Sequence, residues 1–275
     1  MLRRLFTKRP ELKSARELAL MRDAGKVVAG AHRIIREMAR PGVKTIEIDQ
    51  AVEEFYRIRG AIPLFKGYQG GAKVPFPACT CLSLNEQVVH GIPGQRVLKE
   101  GDILKADTAC KLNGWCADAA VTLPIGEVRP EIHRLIQVAW ETLNLAVVEM
   151  GRRRWWSEVA KLMQAHVERA GFSVVTQYVG HGIGRIMHEA PQVANYFSRE
   201  IKKNDFRLEP GLVLAVEPMV NMRKPDVDTL RDNWTVVTRD RLPSAHVEHT
   251  LAVTEEGIKI ITADEIPAAV EAVPA

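Results

Sequence analysis

No apolar run in this sequence approaches the ~18 residues that a membrane-spanning helix requires. Its opening, MLRRLFTKRPELKS, carries charge with no long apolar stretch behind it, so neither an anchor nor a secretory signal is expected. Cysteine is scarce: Cys79, Cys81, Cys110 and Cys116 fit neither paired zinc-knuckle spacing nor a redox pair. A chain of 275 residues buries enough core to fold without disulfides. The four therefore read as reduced thiols and the expected location is the cytoplasm, where the Asn233-Trp234-Thr235 sequon carries no meaning. Charge of one sign is scarce too: a net +4 is too little for a dedicated nucleic-acid binder. The local cluster Arg3, Arg4, Lys8, Arg9 and Lys13 reads as a solvated terminus, or as a point of contact with a polyanion.

Several chemical signatures are missing as well. HEAPQ has Gln192 where the helix of zinc proteases, H-E-x-x-H, needs its second histidine. GHGIG lacks the spacing of a dinucleotide loop and opens no periodic helix. No serine stands in a nucleophile-elbow context and no cysteine has an evident base, which disfavours covalent catalysis.

What is present is alternating helical and extended pattern. Ser14 with Glu17 forms a capping box for a helix whose face is Leu18, Met21, Val28, Ala31, Ile35 and Met38, ended by Pro41-Gly42. Thr45 reads as the cap of a second helix ending near Gly60, and the Gly- and Pro-rich residues 61–80 as a long loop of the kind that binds something. From Ile103 to Leu123 the pattern is extended, with Asn113-Gly114 as a hairpin turn. Pro130 opens a long helix, and Ser157 reads as the cap of another over about 158–170. Short extended runs follow at 173–179, 212–217, 234–238 and 246–254. The class is α+β, with helices before strands twice over, which points to two related halves covering one curved sheet. Residues 14–262 form one domain, 1–13 a basic N-terminal extension and 263–275 a flexible tail.

The acidic residues are out of place for ordinary strands. Aspartate is depleted in strand interiors and an unpaired buried carboxylate is costly, yet Asp107 and Asp118 both fall inside the hairpin. A two-residue turn sets Leu112 opposite Trp115, Asp107 opposite Ala120 and Asp118 opposite Ala109, so the two aspartates share a face as diagonal neighbours. A cation between them answers the repulsion, and two metals ~3.5–4 Å apart suit such a pair. The alternative is that one aspartate bonds backbone amides and the other reaches solvent, with a bulge breaking the register. Glu217 ends the apolar run LVLAVEP, and Glu248 in SAHVEHTLAVT shares a face with His246 and Thr250 by alternation. With His181 the chain offers four carboxylates and one imidazole in or beside strands, a donor set that suits Mn, Fe(II), Co or Zn in a pair.

The stretches CLSLNEQVVHGIPG (81–94), GDILKADTACKLNGWCADAAVTLPIG (101–126), YVGHGIGRIMHEAPQV (178–193), LEPGLVLAVEPMVN (208–221) and SAHVEHTLAVT (244–254) together resemble type I methionine aminopeptidase, in order and over about residues 14–262. The resemblance implies the pita-bread (creatinase/aminopeptidase) fold, two pseudo-symmetric halves around a curved antiparallel sheet with helices outside. It implies two divalent ions held by Asp107, Asp118, His181, Glu217 and Glu248, with Asp118 and Glu248 bridging; Co, Mn, Fe(II) and Zn all suit the set. The implied activity is removal of the N-terminal methionine from nascent proteins and peptides. A metal-bridged hydroxide attacks the first peptide carbonyl, Glu217 is general base, and His90 and His188 steady the oxyanion and serve the leaving amine. The substrate's free amine ligates one metal, and Tyr68, Phe76, Cys81, Met187 and Trp234 line the methionine pocket. Glycines between the histidines let the backbone turn, so that His181 reaches metal and His188 substrate. A monomer in transient contact with the ribosome is implied, with neither DNA nor membrane as a partner. The sequence departs from the family pattern in a longer loop at 69–75, in Met187 for phenylalanine, in His246 for glutamine and in Ala119 for Thr or Ser. The competing readings are a proline-specific aminopeptidase of the same fold, which carries a large extra N-terminal domain, and a non-catalytic ribosome- or RNA-binding relative, which has broken ligands.

Overall fold

The computed structural model describes residues 9–263, so the tail beyond Ala263 and the basic residues up to Lys8 lie outside the described residues. Local signals set two of the helix starts. Glu17 N–H donates to Ser14 Oγ while Ser14 N–H donates to the Glu17 carboxylate, the expected reciprocal cap. Pro130 takes the first turn of its helix, where its missing N–H costs nothing. Two of the remaining starts differ from expectation. Lys44 rather than Thr45 is the cap residue, and the Thr45 hydroxyl instead bonds Gly94, donating to its O at 3.1 Å and accepting from its N–H at 2.9 Å. Ser157 lies inside its helix, with its N–H and hydroxyl donating to the Asp205 carboxylate at 2.9 and 2.5 Å. A carboxylate delivered by the fold satisfies the first-turn donors better than the serine can, and it suits the positive end of the helix dipole.

In chain order, α1 (Ala15–Met38) and α2 (Thr45–Ile58) precede β1 (Ile62–Pro63), β2 (Thr80–Leu84), β3 (Gln87–Val89) and the long hairpin of β4 (Ile103–Leu112) and β5 (Trp115–Pro124). Then α3 (Pro130–Met150) and α4 (Trp156–Arg169) lead to β6 (Ser173–Val174), β7 (Gly180–Gly182), β8 (Glu189–Val193) and α5 (Arg199–Lys203). The chain closes with β9 (Val213–Val216), β10 (Met219–Asn221), β11 (Val227–Thr229), β12 (Val236–Thr238), β13 (Ser244–His246), β14 (Glu248–Thr254) and β15 (Gly257–Ile260). One antiparallel sheet runs β1-β4-β5-β14-β9-β7-β8, with β2 also on β4 and β15 on β14.

The helices cover one face of this sheet in two groups. Val28, Ile35, Ile48 and Tyr56 of α1 and α2 pack on Leu104, Ala106, Cys110, Ala117 and Val121. Leu135, Val138, Leu143, Val159 and Met163 of α3 and α4 pack on Leu214, Val216 and Leu251. This is the expected pita-bread arrangement, two helix-backed halves joined where β5 meets β14. Strand alternation then decides where the polar residues go. The even positions of β4 and odd positions of β5 are in the helix-backed core, so Asp107 and Asp118 stand on the open face.

The run expected to be continuous over 246–254 is interrupted. His246 pairs with Met219 in a second sheet, β13-β10-β6, while His249 pairs with Val216 in the first. Both ladders keep one register, and the gap falls at Glu217-Pro218 and Val247-Glu248 because Pro218 has no N–H to pair. Val247 N–H still donates to Pro218 O, at 3.4 Å. Among the described residues, no helix is long and apolar enough to cross a membrane.

Candidate metal centre

The hairpin has the register that its Asn113-Gly114 turn predicts: both turn residues adopt positive φ, Asp107 lies opposite Ala120, and Asp118 opposite Ala109, with no bulge. Ala120 in turn lies opposite Glu248, which carries the row of acidic residues across into the second half. His181 on β7 lies opposite Ala215 of β9, and Glu217 follows that strand directly. His181 Nε2 stands 3.7 Å from Glu217 Oε1 and 3.9 Å from Asp118 Oδ2. Asp118, His181 and Glu248, all buried, offer atoms within 4.8 Å of one another.

The donor set fits a cation. Asp107 Oδ1, Asp118 Oδ1 and Glu248 Oε1 are buried without a hydrogen-bond partner. Burial, followed by repulsion from the neighbouring carboxylates, pushes Asp107, Glu217 and Glu248 well up. Burial alone raises Asp118 to about 7. Burial holds His181 down to about 4, so its ring is neutral near pH 7. Its Nδ1 lies 2.9 Å from Gly182 O, which can only accept, so the proton is on Nδ1 and Nε2 presents a lone pair. That lone pair faces two carboxylates at a separation too long for hydrogen bonding and suited to donors sharing one divalent ion. Thr250 Oγ1 accepts from Asp118 N–H at 3.0 Å and donates to Asp118 O at 2.8 Å, pinning the strand that carries this aspartate to β14.

The glycines around His181 serve close approach rather than a turn. Neither Gly180 nor Gly182 has positive φ, and a Cβ would meet Ala215 O at 2.2 Å or Ala190 O at 2.1 Å. The chain then returns His188 to within 4.3 Å of the His181 ring, centroid to centroid. His188 Nδ1 shares a 2.9 Å hydrogen bond with the Tyr68 hydroxyl. His90 has φ 59 and packs edge-on against Tyr178 and Trp234. Burial, with a smaller contribution from His188, lowers His90 to about 4, and burial, with a smaller contribution from His181, lowers His188 to about 3.

Phe76, Cys81, Met187 and Trp234 come together in one apolar cluster, and Cys81 lies opposite Asp107. Tyr68 is half-exposed at its rim, 6.4 Å from the Trp234 ring. The long 69–75 loop is closed at its base by Phe76 N–H donating to Tyr68 O at 2.8 Å, and Trp234 Nε1 donates to Val74 O at 2.9 Å. The insertion therefore braces the cluster. Phe65, Ala78 and Ala109 belong to it too, and sequence reasoning missed them. Ala109 was within reach of that reasoning, since it shares a face with Asp107. His246, which strand alternation sets on the face of Glu248, has no role among the sequence-based site residues. It is buried, neither ring nitrogen has a hydrogen-bond partner, and its Nε2 lies 3.7 Å from Glu217 Oε2. Glu217 thus stands between two imidazoles.

The sequence pattern described as metallopeptidase family M24 matches residues 19–255. Methionine aminopeptidase 1 of Bacillus subtilis is 46% identical over 250 residues, which is 91% of this chain and 98% of that protein. The crystal structure of methionine aminopeptidase from Rickettsia prowazekii superposes with a TM-score of 0.86 at 32% identity, covering 93% of this chain and all of that one. An Xaa-Pro dipeptidase from Bacillus anthracis shares the fold, with a TM-score of 0.70 at 22% identity, but this chain spans only 63% of it.

Proposed function

The chain belongs to metallopeptidase family M24, among its methionine aminopeptidases, and from this premise we propose how its residues share the work. The enzyme is a metal-dependent hydrolase that removes N-terminal methionine from polypeptides. We assign Asp107, Asp118, His181, Glu217 and Glu248 as the residues that would hold two divalent ions. When bound, such ions lower the pKa of a water and polarise the scissile carbonyl.

Glu217 takes the proton of the attacking water and passes it to the departing amine. His90 and His188, neutral near pH 7, each carry one N–H. With Tyr68 donating to His188 Nδ1, the His188 proton is on Nε2, free to meet charge growing on the carbonyl oxygen. The methionine side chain lies among Phe76, Cys81, Met187 and Trp234, an apolar setting with polarisable sulfur. Nascent chains, met at the ribosome by a monomer, are the substrate population that this reading takes.

The observation that carries the reading is the neutral His181 Nε2 directed at the buried Asp118 and the partly buried Glu217 carboxylates. The test is release of free methionine from Met-Ala-Ser by metal-stripped protein, titrated anaerobically with Mn, Fe(II), Co and Zn. The expected result is turnover only with metal, saturating near two ions per chain and abolished in Asp118→Asn. Folded protein that takes up metal and releases no methionine would sink the assignment of substrate. Protein that takes up no metal would sink the centre itself.

A further inference from the structure

Lys13 belongs by sequence to the basic N-terminal cluster, yet it is not a solvated charge. Its side chain is 1% exposed and its Nζ lies 2.7 Å from Glu189 Oε2. Nζ also donates to Glu11 O at 3.1 Å, and the Lys13 N–H donates to Gly211 O at 2.7 Å, just before β9. A lysine is almost never buried unless paired. A buried pair is poor evidence for added stability, because desolvating two charges offsets their attraction; its best-attested use is to set register.

The segment whose register it sets is the loop between β7 and β8. Glu189 directly follows His188 and stands two residues after Met187. Its second oxygen, Oε1, accepts from Arg185 N–H at 2.8 Å, so one carboxylate joins the loop's own turn to the lysine. The space is made by Gly184, where a Cβ would meet Lys13 Cε at 2.5 Å and Glu189 Oε1 at 2.6 Å. Gly184 O in turn accepts from Cys116 N–H of β5 at 2.8 Å. Three segments far apart in sequence thus meet at one ion pair, on the stretch that carries His188.

We infer that the Lys13–Glu189 pair is a clasp that positions His188 over the scissile bond; this rests on the reading of His188 as a donor to the substrate carbonyl. Lys13 is a positioning residue: it touches neither metal donor nor substrate and acts through Glu189. Misplacement of a reacting group by 1 Å costs up to about 10²-fold in rate, and losing the clasp frees the loop by that order.

The experiment uses full-length, Mn(II)-saturated enzyme and Met-Ala-Ser. It compares Lys13→Met, Glu189→Asp, His188→Ala and the Lys13→Met/His188→Ala pair, with Mn(II) affinity and Tm measured on each. Folded Lys13→Met is expected to keep Mn(II) affinity within about twofold and KM little changed, while kcat falls about 10–100-fold. Glu189→Asp keeps the charge but withdraws the carboxylate by one methylene, and kcat is expected to fall about tenfold. On the His188→Ala background, Lys13→Met is expected to add less than about twofold, because both changes remove one function. The inference is overturned if either clasp variant that folds keeps kcat within about twofold, or if Lys13→Met costs the same factor with and without His188. Weakened Mn(II) binding in Lys13→Met also overturns it, since the pair would then act on the metal donors. An unchanged kcat in His188→Ala alone removes the role of His188 and the clasp's target with it, and is read without any Lys13 variant.

Discussion

The two halves of the sheet deliver their acidic residues by different means. In the first half, Asp107 and Asp118 stand on a hairpin of ten residues per strand whose pairing never slips. In the second, His181 stands within a three-residue strand and Glu217 and Glu248 at strand ends, each beside an irregularity. The register shifts between His181 and Gly182, and Pro218 interrupts the ladder next to Glu217 and Glu248. A regular strand sends alternate side chains to one face at fixed spacing, which serves two residues on adjacent strands well. Closing donors around a point from a third direction requires the backbone to depart from that spacing, and the breaks supply the departure.

The largest effect should come from cutting the donor set on either side of the join. Asp118→Asn on the regular side and Glu248→Gln on the broken side should each lower methionine release by about 10³-fold, the scale of losing a charge-stabilising group. Calorimetric metal titration should show weakened binding in both. If one variant kept both its metal and its rate, the halves would not be equal contributors. A smaller effect is expected at the join. Thr250→Val removes the hydroxyl that both donates to and accepts from the Asp118 backbone, leaving a buried N–H and C=O short of partners. The cost should be about 1–3 kcal/mol in urea unfolding. A change within error would show that the halves are held together by packing alone.

The third effect is one of pH. In metal-stripped protein, burial raises Asp118 from 3.8 to about 7, and Asp107, Glu217 and Glu248 are raised as well. A raised carboxyl pKa means that the folded state holds a proton which the unfolded chain has released. That contribution to stability is present below the ordinary pKa near 3.8 and is lost as pH rises through about 7. With metal bound the carboxylates are already ionised and paired, so the loss is absent. The Tm gap between loaded and stripped protein should therefore widen between pH 5 and 8, by a few degrees for each kcal/mol involved, on the scale of ~2–4 °C per kcal/mol. A constant gap across that range would mean that burial does not raise these carboxyls in the folded chain.

How far the site was legible follows the same division. Asp107 and Asp118 were placed by counting from Asn113-Gly114, because a two-residue turn and an alternation of two leave no freedom. The interruption at Val247 was not legible, since the residue responsible, Pro218, lies on the partner strand. Ser157 illustrates the same limit on a helix: the carboxylate that accepts from its N–H is Asp205, 48 residues away, brought there by tertiary structure. Lys13 is the sharpest case. Its neighbours Arg3, Arg4, Lys8 and Arg9 made it one of a charged run, whereas its burial depends on Glu189, 176 residues on.

By itself the sequence determined the kinds of donor available, the hairpin register, the two helix pairs with their apolar faces, and, through five ordered motifs, the family. Each rests on short-range geometry or on residue identity, which a linear chain carries in full. Only the tertiary structure decided that His181 is a lone-pair donor facing two carboxylates, that His246 stands across Glu217, and that Lys13 holds the loop of His188. Those depend on which segments share a low-dielectric interior, where an unpaired charge or lone pair must find a partner, and the partner is chosen by the closing of the sheet rather than by proximity along the chain.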